Sequence, residues 1–391
     1  MRRGRRRARR RSFLRRTLRH PFSLTIASVF LTLAAVELLF LSENLRLAVR
    51  PVIRWAHATN DPAGSIQYDE KVGVRLSEIP GEIGFWTSRH GWLFKNELRG
   101  NNFGFSDPKN FSPRKRDPDL FRFIVMGDSF TANLYLNRAW PEVVHQGLAD
   151  EGVEIYNMAI DGSGVPTWWR ILKNVIIKED FEADAIVLAI CCDNMHRHHY
   201  WLSDTNYRAH DAPPQLAIFY DSGDDYSMES IRTPDDYSAV DQVGGWPVFE
   251  GSLPGHDEMR ALVMAQEEWE FPFVLSLLRP LLARFRSQST VGNPRPRGHQ
   301  FSNESFLKMI DDFKDFSRQR GIPLYGIDIA SAEDFETAVD LFEFDEAIDF
   351  SPMNTMGENH VLPIDGHWNE EGARVVGETL TPVFREWARA R

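Results

Sequence analysis

The chain has 391 residues, with 45 Lys+Arg against 56 Asp+Glu, a net charge of −11 and two cysteines. At 42% hydrophobic and 26% charged residues the composition is that of an ordinary globular protein, which excludes whole-chain disorder, collagen-like repeats and a disulfide-built scaffold. The length accommodates one large domain with insertions, or two domains.

The charge is unevenly placed. Residues 1–20 contain eleven Arg and no acidic residue, leaving −22 on the other 371. Residues 21–41 follow as PFSLTIASVFLTLAAVELLFL, whose one ionisable side chain is Glu37. As a helix rising about 1.5 Å per residue, this run would span roughly 30 Å, the thickness of a bilayer's hydrocarbon core. A basic block before an apolar run marks a signal peptide or a retained signal anchor. Residues 10–15 (RRSFLR) also resemble the twin-arginine export pattern. No small-x-small cleavage site follows closely, since Ala56-His57-Ala58 lies too far downstream, so a retained anchor is expected. The positive-inside rule then places residues 1–20 in the cytoplasm and the chain beyond the anchor outside, as a single-pass membrane protein. The arginines are read as a topology signal, and no nucleic-acid partner is expected.

Residues 42–65 read as a polar stalk, and 66–120, rich in Gly, Asn and Pro, as irregular structure with short strands. The first clear strand is 122–126 (RFIVM), an unbroken apolar run of the kind buried on both faces of a parallel sheet. A helix is expected over 139–149, a strand over 154–160, a helix over 166–177 with Pro166 in its first turn, and a strand over 185–190. This β-α-β-α-β rhythm predicts an open α/β sheet with right-handed crossovers. It pauses for an insertion of about 195–302, where residues 273–285 have an amphipathic helical pattern. A helix over 304–318, a strand over 323–329 and a closing helix over 370–388 resume it. The main domain is thus 121–391, and no internal repeat is present.

Ligands of open α/β sheets bind beyond the carboxyl ends of the strands. The first strand ends in Gly127-Asp128-Ser129, where a Ser on the strand-to-helix turn can attack a carbonyl, or where Asp-Ser simply caps a helix. The second strand ends in Asp161-Gly162-Ser163-Gly164, where Gly lets backbone approach a ligand; Thr167 in place of a third Gly excludes a dinucleotide fingerprint. The third strand ends in Cys191-Cys192-Asp193-Asn194, and an Asn amide can donate to an oxyanion. Before the last helix stands Asp365-Gly366-His367-Trp368-Asn369: His can take a Ser proton and a carboxylate can fix its tautomer, while Asn369 can serve as the helix N-cap.

Together these blocks resemble the SGNH (GDSL-type) hydrolases, over roughly 121–194 and 303–388. The resemblance implies a three-layer α/β/α flavodoxin-like fold. It also implies Ser129 as nucleophile, His367 as base and Asp365 as its orienting group. The Ser129 N–H, the Gly162 N–H and an amide after the third strand would form the oxyanion hole. Residues 99–105 (RGNNFGF) look like the segment preceding the Ser in polysaccharide-modifying members. Two blocks depart from the usual pattern. An ungapped alignment puts Asp193 at the donor position, where an ionised carboxylate would repel an oxyanion; a one-residue shift presents Asn194, the residue assigned here, and otherwise this donor is missing. The last block is Asp-x-His followed by Trp, similar to the alginate-acetylation branch and related cell-surface polysaccharide O-acylation proteins.

His196, His198 and His199 beside Cys191 and Cys192 suggest a metal, but adjacent strand residues point to opposite faces, so both thiols ligate poorly and none is expected. The acidic pairs Asp224-Asp225, Asp235-Asp236 and Asp311-Asp312 read as solvated surface. Of Trp168, Trp169, Trp201, Trp246 and Trp368, one or two are expected to line a site. The expected activity is that of a membrane-anchored, extracytoplasmic serine esterase or O-acyltransferase needing no cofactor. It would act on O-acyl, above all O-acetyl, groups of a cell-envelope glycan, or on a small ester, with a membrane-bound acyl-transfer partner in the transferase case. The alternatives are a lipid esterase such as a lysophospholipase, and a non-catalytic scaffold or binding protein in polysaccharide assembly.

Overall fold

The computed structural model describes residues 21–49, 52–69, 71–192, 194–196, 199–201, 216–221, 226–231, 248–266, 303–330, 335–350, 356–362 and 366–390. The arginine block, Asp193, His198, Trp246, Asp365 and the amphipathic stretch 273–285 lie outside them. The chain divides into two compact units, Met1–Ile53 with Thr87–Gly91 and Gly255–Pro294, and Arg54–Trp86 with Trp92–Pro254 and Arg295–Arg391.

In the first unit the apolar run forms the helix Pro21–Leu39, with Phe30, Leu31, Leu38 and Leu39 exposed. The helix stops at Leu39, where the Arg46 guanidinium donates to the Phe40 carbonyl at 3.1 Å, and the chain restarts as Glu43–Val49. Among the described residues no single helix is long and apolar enough to cross a membrane. Ser28–Leu39 and Glu43–Val49 meet length and composition only as a pair bent by 104°.

The second unit is built on a five-stranded parallel sheet. Its strands are β1 (Phe121–Met126), β2 (Val153–Asn157), β3 (Ala185–Cys191), β4 (Leu324–Ala330) and β5 (Glu346–Ile348), in the spatial order β2-β1-β3-β4-β5. Its helices are α1 (Trp140–Leu148), α2 (Val165–Ile171), α3 (Asn303–Arg320), α4 (Phe335–Phe342) and α5 (Glu370–Arg389). The period-2 alternation of strand side chains makes two cores. Phe123 and Val125 of β1 pack with Val187, Trp140, Phe384 and Trp387, under α1 and α5. Ile124 and Met126 pack with Leu188, Trp168, Met309 and Phe313, under α2 and α3. Both faces are covered, which is why β1 and β3 are continuous apolar runs. The strand order is flavodoxin-like and reverses direction between β1 and β3, the place where such sheets bind ligands.

The expected elements of the sheet recur with ends shifted by a few residues. The second expected helix is α2 continued by a π-helix, Leu172–Ile177. Helix α4 and edge strand β5 carry no counterpart in the sequence reading. The supposed stalk contains the strand Ile53–Thr59, in which Ala56, His57 and Ala58 are fully buried. That strand lies between Val248–Glu250 and Gly81–Thr87 in a sheet completed by Gly91–Leu98, so regular strands replace much of the expected stalk and irregular segment. Within the insertion, His199–Trp201, Leu216–Asp221 and Tyr226–Ile231 form an antiparallel sheet.

Candidate active site

Strand β1 ends at Gly127 because nothing larger fits. A Cβ there would stand 2.5 Å from Thr131 Oγ1, 2.8 Å from Thr131 Cβ and 3.0 Å from the Ala189 carbonyl oxygen. Asp128 follows as the N-cap of a one-turn helix, Ser129–Ala132, its Oδ1 accepting from the Phe130 N–H at 3.1 Å. Asn133 closes the turn in the left-handed region (φ 44°), which Asn tolerates, and its N–H returns to the Ser129 carbonyl at 2.9 Å. The expectation of a Ser on the strand-to-helix turn and the plainer expectation of an Asp cap both describe this turn.

The Gly127 carbonyl is the anchor of the next strand's end. It accepts from the Ile160 N–H (3.1 Å), the Ser163 hydroxyl (2.8 Å) and the Trp168 indole N–H (3.4 Å). Ser163 N–H in turn reaches the Ile160 carbonyl at 3.1 Å, closing a turn in which Gly162 has φ +71°, as position i+2 of a type II turn requires. Among the described residues neither the Ser129 nor the Gly162 backbone N–H has a protein acceptor. Both are thus available to an oxyanion, and both stand at the β1–β2 ends.

Asn194 is placed differently from the expected oxyanion donor. Its Oδ1 accepts from the Cys191 N–H at 2.6 Å, while its Nδ2 donates to Asp128 Oδ2 (3.2 Å) and to the Ser163 carbonyl (2.9 Å). Both amide hydrogens are engaged and the residue is 1% exposed. In this arrangement Asn194 ties Asp128 at the end of β1, Ser163 beyond β2 and Cys191 at the end of β3 together.

The two thiols also correct an expectation. Cys192 leaves β3 with φ +52°, which turns its side chain back toward that of Cys191. The ligand atoms of Asp128, Cys191 and Cys192 lie within 4.8 Å of one another, a donor set suited to a thiophilic cation. As described, the Asp128 oxygens already accept from the Phe130 N–H, the Asn194 amide and the Cys191 thiol at 3.0 Å. Burial, then the bond with Cys192 and the Asp128 carboxylate, push the Cys191 thiol well above its ordinary range, so it stays protonated.

His367 is brought to the same place by packing. Its ring lies 4.7 Å from that of Phe130, the residue after Ser129, and 5.3 Å from that of Tyr135. The segment is held by the Leu362 N–H donating to the His367 carbonyl (2.7 Å), a bridge between Val361 and Trp368, and Asn369 capping α5 through the Gly372 N–H (3.0 Å). Trp368 is fully buried with its ring 5.2 Å from Phe130, and the Asn137 N–H reaches Glu370 at 2.9 Å. The Ser129 hydroxyl makes no hydrogen bond among the described residues.

Several contributors were not singled out in the sequence. Phe130 and Tyr135 flank His367, and Tyr135 stacks on Trp55 at 4.1 Å, which brings the layer before residue 121 to the site. The signal available was only the aromatic spacing around the Gly-Asp-Ser block. Of the five tryptophans of which one or two were expected to line a site, Trp168, Trp169 and Trp368 are core residues; the Trp169 indole N–H donates to Asp312 at 2.7 Å.

No family model and no curated protein matches the chain. Solved structures similar to it include a psychrotrophic esterase, EstA, from Pseudoalteromonas sp., 8% identical over 68% of this chain and 98% of that one, with a TM-score of 0.35. TesA is 12% identical over 68% and 98%, with a TM-score of 0.32. A lipase/acylhydrolase from Enterococcus faecalis is 11% identical over 68% and 96%, with a TM-score of 0.31. At that level of likeness the chemistry has to be read from the residues themselves.

Proposed function

We propose that the chain is a serine esterase or O-acyltransferase that works through an acyl-serine, on O-acyl groups of a cell-envelope glycan. The observation that carries this is the juxtaposition at the β1–β3 switch point. A Ser hydroxyl with no protein partner on the Ser129–Ala132 turn, the Ser129 and Gly162 backbone N–H groups without acceptors, and a His packed on the residue next to that Ser come from the ends of β1 and β2 and from the segment before α5. Ser129 Oγ attacks the ester carbonyl while its proton passes to His367. The Ser129 and Gly162 N–H groups receive the developing oxyanion, and His367 returns the proton to the departing alkoxide. Water then hydrolyses the acyl-serine, or a sugar hydroxyl accepts the acyl group. Asp365 is the proposed orienting carboxylate for His367.

The apolar helix behind the arginine block supports an anchor with the site outside the membrane. A reporter fused after residue 50 and active only in the cytoplasm would overturn that topology. The full-length protein in detergent, assayed against p-nitrophenyl acetate beside Ser129→Ala and His367→Ala, tests the enzyme. Absence of turnover, or turnover surviving Ser129→Ala, would sink it. The engaged amide of Asn194 favours a second reading, a non-catalytic binding protein in glycan assembly, and the same assay separates the two.

A further inference from the structure

A cavity of about 300 Å³ opens beside the nucleophile turn, lined by Ala132 and Asn133 from its far end and by residues of the 97–110 segment. The size is at the lower end for small-molecule sites. Its lining is mostly polar, and much of that polarity is unused. Asn133 is 1% exposed, yet neither its amide oxygen nor its nitrogen has a hydrogen-bond partner among the described residues. A buried amide left that way costs about 1–3 kcal/mol unless something else satisfies it. Among the described residues Glu97, Arg99 and the Ser106 hydroxyl also make no hydrogen bond or ion pair, and Asn110 uses only its Oδ1, accepting from the Asn102 N–H at 3.3 Å.

The charges narrow the ligand. Lys109 is held by Asp107 at 3.0 Å and by Glu142, so it is committed to protein carboxylates. The cavity wall thus carries the carboxylates of Glu97, Asp107 and Glu142 against two cations, Arg99 and the Lys109 that Asp107 and Glu142 share, a net charge of −1. That balance does not suit an anion. The few apolar lining groups, among them Ala132, Leu136 and Ala139, do not suit an acyl chain. Unused donors and acceptors side by side match a ligand whose every group both donates and accepts, which is the property of hydroxyls.

We infer that this cavity is a subsite for a neutral sugar unit of the substrate. It deepens the function proposed above and rests on that reading for its link to Ser129. Asn133 lies four residues beyond Ser129, about 6 Å along the helix axis at 1.5 Å per residue. A glycan seated there extends past the nucleophile within the length of a short oligosaccharide.

The test is saturation-transfer NMR on the full chain in a sugar-free detergent, with methyl α-glucoside, methyl α-mannoside, methyl N-acetyl-β-glucosaminide and methyl glucuronide as probes. Transfer to at least one neutral glycoside is expected, retained in Ser129→Ala and reduced roughly fivefold or more when Glu97→Ala and Arg99→Ala are combined. Both side chains are exposed, so this variant keeps its core. No transfer to any neutral glycoside, transfer undiminished in the double variant, or stronger transfer to the glucuronide overturns the subsite. Ester hydrolysis is read separately: transfer without hydrolysis leaves the subsite standing and removes the enzyme, and hydrolysis without transfer does the reverse.

Discussion

Asp128 offers the sharpest test of how the Ser129–Ala132 turn is held. Its carboxylate is fully buried and receives three donors: the Phe130 N–H at 3.1 Å, the Asn194 amide at 3.2 Å and the Cys191 thiol at 3.0 Å. Asp128→Ala removes an N-cap, a loss of about 1 kcal/mol. It also strands one N–H of a buried Asn, about 2 kcal/mol. The thiol is a weak donor and adds little. The expected total is about 3 kcal/mol. Asp128→Asn keeps an oxygen for Phe130 but sets an NH₂ against the Asn194 NH₂, so about 2 kcal/mol is lost and the cap is retained. Urea unfolding of the full-length protein, followed by tryptophan fluorescence, measures both; p-nitrophenyl acetate turnover should fall in the same order, because Ser129 is the next residue. Two variants each within 1 kcal/mol of wild type, or an Asn variant less stable than the Ala one, would refute the arrangement.

Gly127→Ala should destabilise by about 1–3 kcal/mol through overpacking. Adding Thr131→Ala should recover only part of it in the same unfolding assay, because Thr131 Cβ at 2.8 Å and the Ala189 oxygen at 3.0 Å remain; full recovery would contradict the geometry. His57 is fully buried, and burial lowers its pKa from 6.5 to about 3. Below pH 6.5 the unfolded chain therefore binds a proton that the folded one refuses, and stability falls as pH drops toward 3. Between pH 7.5 and pH 5 the loss relative to His57→Gln should be about 2 kcal/mol, and identical pH profiles of unfolding for the two proteins would rule this out. The protonated, buried Cys191 thiol should resist maleimide, while the partly exposed Cys192 should react. Cys192→Ser protein should therefore take label only once urea unfolds it, and rapid labelling without urea would count against this account.

Much of the sheet was readable because burial on both faces writes itself into composition. β3 throughout and β1 from Phe123 onward are apolar at every position, so their runs stand out from any reading frame. The helices α3 and α5 are long and amphipathic enough to show their period. The missed pieces are short or edge elements: β5 has three residues, none of them buried, and α4 has eight. In the strand Ile53–Thr59 Arg54 and His57 interrupt the apolar pattern, and its burial comes from strands at 81–98 and 248–250.

At the site the division is similar. Gly-Asp-Ser at a strand end and a His before the last helix are local patterns, and the sequence by itself placed Ser129, Gly162 and His367 beyond the expected strands and before the last helix. The tertiary structure alone decided which side-chain donors are free. Whether Asn194 faces a ligand depends on Asp128 and the Ser163 carbonyl, 66 and 31 residues away, which take both its hydrogens. Whether two adjacent thiols share a face depends on one positive φ at Cys192. The unused amide of Asn133 exists only because a left-handed residue ends the nucleophile turn beside a cavity. Periodicity reports burial, which is a property of one chain segment against its surroundings on average. Hydrogen-bond capacity left over after folding is a property of specific partners brought from distant strands, and no local pattern encodes it.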